Sequence, residues 1–241
     1  MADKKFETKT KKDLQSDFIN LTSHQLRTPL SGTKWLLELL QKSDTGNLTK
    51  KQKDFIEKIY SSNERMITLV NDLLEVTRIE NGENKLYLQP TDLISILRGL
   101  IKEKEKDVKK KNLQISFTTE QEPFPLINSE LNKIRQAISN IIINSISYTP
   151  AGGKIIIDLR TENGKVLVKI ADTGVGIPKD QQKDIFTKFF RGNNVRSMET
   201  TGTGLGLYIS KSFIEASGGK LWFESTLGKG TTFYFTLPIA K

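Results

Sequence analysis

The sequence predicts an α+β protein: an N-terminal antiparallel helical hairpin that pairs with a second copy as a four-helix bundle, followed by an α/β sandwich. Between residues 10 and 80, two long stretches place apolar side chains at three- and four-residue steps, the period of amphipathic helices. After residue 86, short alternating runs interleave with helical stretches, which predicts a mixed sheet with helices packed on it. A length of 241 residues suits two domains, divided here as 1–82 and 83–241.

The first helix carries Leu14, Phe18, Leu21, Trp35 and Leu39 on one side, widened by Ile19, Leu26, Leu30, Leu37 and Leu40. Ser43-Asp44-Thr45-Gly46-Asn47 supplies a turn. The second helix has a seam of Ile56, Ile59, Met66, Val70 and Leu73, interrupted by Asn63 and flanked by Phe55, Leu69 and Val76. Two helices cannot bury stripes this broad against each other. Two hairpins can, so a homodimer is expected. Asn81-Gly82 closes the second helix. Leu86 to Gln89 reads as a short strand halted by Pro90, and a helix capped by Thr91 or Asp92 runs to Asn112. Leu113 to Thr119 alternates as a strand, and Asn128 or Ser129 caps a helix reaching Ser147. Lys154 to Arg160 and Lys165 to Ala171 form a hairpin around Asn163-Gly164. A helix spans Gly204 to Ala216, and the last strands, Lys220 to Ser225 and Thr231 to Leu237, join through Leu227-Gly228-Lys229-Gly230.

Composition excludes several classes. With 36% hydrophobic and 27% charged residues, the chain is globular rather than disordered. The lack of cysteine excludes disulfides and thiolate metal sites and suits a reducing cytosol. No apolar run approaches the ~20 residues of a membrane helix. If there is a sensor region or membrane anchor, it is therefore expected outside this chain, N-terminal to it, with the chain itself cytoplasmic. The net charge of +9 invites a nucleic-acid reading. Its bases, however, interleave with acids, as in Lys102-Glu103-Lys104-Glu105-Lys106-Asp107, the pattern of a solvated helix face. Lys109-Lys110-Lys111 sits where a helix should end, and cations there suit the helix dipole. No nucleic-acid partner is expected.

Chemistry concentrates in four places. His24, the single histidine, lies one step off the seam and should face solvent, with Pro29 bending the helix within a turn of it. A neutral imidazole is a competent nucleophile at physiological pH. Asn140 and Asn144 share one helix face, and an amide oxygen suits Mg²⁺. Asp172 opens Asp172-Thr173-Gly174-Val175-Gly176-Ile177-Pro178 after a strand; its carboxylate can accept from an adenine amino group, and the glycines admit the ring close to the backbone. Gly202-Thr203-Gly204-Leu205-Gly206-Leu207 opens a helix, where unpaired N–H groups favour phosphate. The dinucleotide and P-loop patterns both fail: no acidic residue follows at a second strand end, and no lysine follows the glycines.

In this order the residues resemble the sensor histidine kinases of two-component signalling over about residues 13–239. Ser23-His24-Gln25-Leu26-Arg27-Thr28-Pro29-Leu30 is similar to the phosphoacceptor box, and Asn140 to Pro150 to the N box. Asp172 to Pro178 resembles the first glycine box, Phe186-Thr187-Lys188-Phe189-Phe190-Arg191 the F box, Gly202 to Gly206 the second glycine box, and Gly228 to Phe233 the closing glycine segment. Each piece is common, but the ordered set is specific. The resemblance implies a dimerisation and phosphotransfer hairpin, then an ATP-binding domain of the kind shared with Hsp90 and gyrase. It implies ATP and Mg²⁺, with Asn144 on the metal, Asn140 nearby, Asp172 reading adenine, Tyr148 lining the pocket and Arg191 reaching the phosphates. Residues 188–203 would cover ATP as a lid, Phe186 and Phe189 packing its root. His24 would carry the phosphoryl group, pass it to an aspartate of a response-regulator receiver domain, and Thr28 would orient water to dephosphorylate that regulator.

Two positions depart from the family pattern. Gln25 stands where a carboxylate usually follows the phosphoacceptor, and glutamine cannot take a proton as a base. Ser147 stands where the N box usually has lysine, so a phosphate contact must come from elsewhere, with Arg191 and Lys188 as candidates. These departures motivate the rival expectation of a phosphatase-biased or inactive kinase-like scaffold that binds ATP.

Overall fold

The structure, a computed structural model, describes residues 11–42, 48–83, 85–193 and 202–240, but not the side chains of 11–21, 23, 24 and 42. The predicted turn over 43–47 lies outside the described residues. The chain forms two compact units, 1–83 and 84–241.

The first unit pairs α1 (Lys11–Lys42) with α2 (Lys50–Glu80). Thr49 starts α2 with a reciprocal cap: its hydroxyl accepts from the Gln52 N–H, and the Gln52 side chain accepts from the Thr49 N–H. Leu37, Val70, Leu74 and Val76 are buried. Trp35 is 60% exposed, and Leu36, Leu39, Leu40, Phe55, Ile59, Met66 and Leu69 also remain uncovered. Much of the apolar seam thus finds no cover within one hairpin. Asn63, which interrupts it, is buried instead.

In the second unit, the five-stranded mixed sheet has the order β2-β4-β5-β7-β6, with β2 (Gln114–Thr119) parallel to β4 (Lys154–Glu162). The remaining neighbours are antiparallel: β4 with β5 (Lys165–Asp172), β5 with β7 (Gly230–Pro238), and β7 with β6 (Lys220–Thr226). Alternation sets one face into the core: Ile157, Ile170 and Phe233 align on one rung, and Leu159, Val168 and Phe235 on the next. Over that face lie α5 (Leu131–Tyr148) and α6 (Gly206–Ala216), contributing Ile134, Ile138, Ile141, Ile142, Ile209 and Phe213. The opposite face carries Asp158, Arg160, Lys169 and Tyr234. This is the α/β sandwich predicted from the sequence.

Several elements differ from expectation. The strand expected at Leu86 to Gln89 is β1 (Gln89–Thr91), which passes through Pro90. It pairs with β3 (Ile127–Ser129) in a separate two-stranded ribbon, where an edge position tolerates proline. The helix expected to Asn112 is two: α3 (Leu93–Glu103) and α4 (Glu105–Lys110) break at Lys104, where ψ rises to 4°. Asn128 and Ser129 lie in β3, so Glu130 occupies the start of α5, without a side-chain cap. α6 begins at Gly206 rather than Gly204.

Asp92 caps α3, its carboxylate accepting from the Ser95 N–H at 3.2 Å and the Ser95 hydroxyl at 2.5 Å. The Ser95 hydroxyl foremost holds the Asp92 pKa below its ordinary 3.8. A depressed folded pKa means that the ionised cap stabilises above 3.8 and that the contribution is lost as pH falls below it. Asp92→Ala should therefore cost about 1 kcal/mol at neutral pH, and thermal melts should show the difference from the parent shrinking as the pH is taken below the ordinary aspartate value.

Candidate functional site

Asp172 ends β5 on the helix-covered side of the sheet, in register with Thr231 of β7 and Ile155 of β4. Its Oδ1 accepts from the Gly174 N–H at 2.9 Å and the Thr231 N–H at 3.1 Å, leaving the second carboxylate oxygen for a ligand. Burial pushes its pKa above the ordinary 3.8, against the two N–H groups and the neighbouring Ser145 side chain, which favour the charged form. The Ser145 hydroxyl is buried and has no partner within ordinary hydrogen-bond distance. An orphan hydroxyl beside a half-buried carboxylate fits a pocket completed by a polar ligand or its water.

The loop after β5 is held on three sides. Val175 N–H donates to the Tyr148 carbonyl at 3.1 Å, Gly228 N–H to the Val175 carbonyl at 2.8 Å, and Ile177 N–H to the Ser225 hydroxyl at 2.9 Å. Gly174 is required by close approach: a Cβ there would stand 2.6 Å from Asp172 Oδ1 and 2.7 Å from the Tyr148 carbonyl. Gly176 lies against the backbone of Thr226 and Leu227. The C-terminus of α5 is braced from outside by Lys111, whose ammonium donates to the carbonyls of Ser147 at 2.7 Å, Ile146 at 2.8 Å and Thr149 at 3.3 Å. Burial lowers the Lys111 pKa from its usual 10.5. Lys109-Lys110-Lys111 does sit at the end of a helix, with Lys111 at the C-cap of α4, and the Lys111 ammonium also caps α5.

Asn140, Asn144 and Tyr148 recur every four residues, one line along α5. Asn140 Nδ2 donates to the Gly206 carbonyl at 3.1 Å, and Ser210 Oγ donates to the Ala137 carbonyl at 2.9 Å, so α5 is tied to the start of α6. Asn144 is half-buried, with no hydrogen bond among the described residues. No cluster of three or more His, Cys, Asp or Glu that could hold a metal occurs among the described residues. A Mg²⁺ ion at Asn144 would therefore take most of its oxygens from a phosphate substrate and water, which is how this ion is commonly bound.

Gly202 brings the second glycine segment to α5, since a Cβ there would lie 3.9 Å from the Tyr148 hydroxyl. Thr203 Oγ1 accepts from the Leu205 N–H at 3.2 Å. Leu205 itself is fully buried, so its side chain belongs to the core. Gly204 has φ +74°, and a Cβ there would meet the Phe189 backbone at 2.8 Å, a conformation and a contact that glycine alone accommodates. Phe186 packs edge-on against Phe223 at 5.8 Å, as expected. Phe189 does not pack: it sits at φ 61° and is 61% exposed. Arg191 is half-buried. The part of the expected lid over 194–201 lies outside the described residues.

In the first unit, α1 carries His24, Gln25, Thr28 and Pro29. Gln25 and Thr28 are exposed. The expected solvent display of His24 lies outside the described side chains. Sequence reading missed Ser145, Lys111 and the Thr231 N–H; of these, Ser145 left a signal, as a small polar residue in line with the buried Ile138, Ile141 and Ile142 of α5.

Residues 14–82 match the model of the His Kinase A (phospho-acceptor) domain, and residues 130–241 that of the histidine kinase-, DNA gyrase B-, and HSP90-like ATPase. The chain is 34% identical over 225 residues to the sensor histidine kinase WalK of Bacillus subtilis, covering 92% of this chain and 36% of WalK. It is 33% identical over 231 residues to the adaptive-response sensory kinase SasA of a Synechococcus strain, covering 95% of this chain and 60% of SasA. The chain spans about 25 to 60% of the length of curated relatives it matches. Among solved structures, full-length ShkA in complex with AMPPNP superposes with a TM-score of 0.75 at 28% identity, over 93% of this chain and 46% of that one. The catalytic domain of the histidine kinase ThkA matches with a TM-score of 0.56 at 30% identity, over 63% of this chain and 95% of that domain.

Asp172→Asn replaces the open acceptor by a donor that opposes an amino group. ATP affinity measured by calorimetry at neutral pH should fall about 10- to 100-fold. Binding favours the charged carboxylate, whose pKa is raised above 3.8, so the parent should lose its advantage as pH falls through that raised value, earlier than an ordinary aspartate would allow.

Proposed function

The chain belongs to the sensor histidine kinases of two-component systems, and from that premise we propose that it phosphorylates His24 from ATP and passes the group to an aspartate of a response-regulator receiver. The observation that carries this reading is the half-open Asp172 carboxylate beside the orphan Ser145 hydroxyl, walled by Gly174, Gly202 and Tyr148. Adenine fits there, its amino group donating to the remaining Asp172 oxygen. The phosphates then run toward Asn144 and the Gly202–Gly206 segment. Asn144 would hold Mg²⁺, which when bound offsets phosphate charge.

An imidazole nitrogen of His24 attacks the γ-phosphorus, an N–P bond forms, the bond to the β-phosphate bridging oxygen breaks, and ADP leaves. Gln25, next in sequence, can accept a hydrogen bond from the ring N–H and orient it, but it cannot remove the proton. That proton passes to water. Arg191 offers charge to the phosphates where the family's N-box lysine is replaced by Ser147. Catalysis here is mainly positioning and charge stabilisation. The uncovered apolar residues of the hairpin, Trp35 and Phe55 among them, fit a homodimer.

Gln25 and the exposed Thr28 favour a second reading, in which the balance lies toward dephosphorylating the regulator. Incubating the parent and His24→Ala with γ-³²P-ATP and Mg²⁺ tests the first. The parent should take up label and the variant none, and label retained by the variant would overturn the assignment. A parent that takes up little label yet hydrolyses a phosphorylated receiver, with Thr28→Ala failing to do so, would favour the second.

A further inference from the structure

Asn63 sits near the middle of α2 and is 1% exposed. Its Nδ2 donates to the Leu30 carbonyl of α1 at 2.9 Å, while its Oδ1 is buried with no partner. Leu30 follows Pro29, whose missing N–H leaves the Gln25 carbonyl without its helical donor, so the Asn63 bond lies just past that break in the α1 ladder. Around it run further polar links between the two helices. Arg27 donates to Asn71 Oδ1 at 2.8 and 3.2 Å, Lys34 pairs with Glu64 at 3.0 Å, and the Tyr60 hydroxyl donates to Glu38 at 3.3 Å. The Arg27 and Lys34 pairs have substantial solvent contact, and such links contribute little individually.

Apolar contacts between helices are non-directional, and a slide of one turn replaces one leucine by another at modest cost. A buried amide is different. Its donor is satisfied at one axial position of α1, and a slide would strand both the donor and the acceptor away from water. A polar residue in an apolar helical seam fixes register in this way even where it lowers stability. The Oδ1 left without a partner accords with a residue retained for placement rather than for stability.

We propose that Asn63 is a positioning residue that locks the axial register of α1 on α2 at Pro29, and thereby sets where His24 stands. The effect on phosphorylation rests on the His24 reading; the register does not.

Because the chain has no cysteine, engineered pairs report register cleanly. The pair Lys34→Cys with Glu64→Cys probes the observed register, and Lys34→Cys with Thr68→Cys a slide of one turn. In the Asn63 background, oxidation within one chain should favour the first pair. With Asn63→Leu, cross-linking should spread to the second, the melting temperature should hold or rise, and kcat for His24 labelling should fall roughly tenfold or more. KM for ATP should not move, because the nucleotide pocket lies in the other unit. Asn63→Gln, which keeps an amide donor, should restore the confined cross-linking and part of the rate. Cross-linking in Asn63→Leu that stays confined to the first pair overturns the proposal, as does a slid register with the parental rate. If the parent takes up no phosphoryl group, the kinase reading fails, while the cross-links still decide the register.

Discussion

The carboxyl group of Asp172 stands at the end of the central strand β5, largely out of water, and takes two backbone hydrogen bonds at once. One comes from Gly174, in the loop that leaves the strand; the other comes from Thr231, at the start of β7. A single side chain thereby stitches two neighbouring strands to the glycine loop, while Val175 fastens that loop to the end of α5. Removing a carboxylate from water is costly unless its lone pairs are met. Two are met by the protein, both on one carboxylate oxygen. Around it the side chains are small by necessity, since a Cβ at Gly174 would collide with the carboxylate itself.

From that anchor the rest of the second unit can be read outward. The C-terminus of α5 must stay where Ser145 neighbours Asp172 and the Tyr148 carbonyl accepts from Val175, and Lys111 holds it there through three carbonyls. A cation at a helix C-terminus also suits the helix dipole. The start of α6 must stay near α5, and Asn140 and Ser210 bind the two helices together. The Gly202–Gly206 turn is thus an extension of the core, built on the buried Leu205.

The architecture was legible because its determinants are local. Period 3.6 marked α1 and α2, period 2 marked β4, β5 and β7, and Asn163-Gly164 marked their hairpin. The break between α3 and α4 was not legible, because the run from Lys102 to Asp107 continues a helical pattern through Lys104, which leaves the helix without glycine or proline. Pro90 was misread because its tolerance depends on the edge position of β1, a property of the pairing with β3. The hold of Lys111 on α5 was not legible, because its acceptors lie 35 to 38 residues away in sequence. Asn63 showed only as a gap in a seam; its partner is a backbone carbonyl, which no side-chain pattern reveals. Within the site, Asn140 and Asn144 were readable from spacing, Asp172 from its strand-end glycines, and Tyr148 only through the family resemblance. Thr231 was not, since it acts through a backbone N–H that reaches Asp172 only in the fold, and Ser145 showed only as a small polar residue on the buried face of α5.

The account's central claim is that the terminal phosphate of a nucleotide seated on Asp172 ends as a phosphoramidate on one imidazole. Mass-spectrometric mapping of the protein after incubation with ATP and Mg²⁺, with parallel acid and alkaline treatment, tests this most directly. The account predicts a single phosphoryl group on the peptide containing His24, released by acid and retained in alkali. An acid-stable group, or one on any other residue, would contradict it.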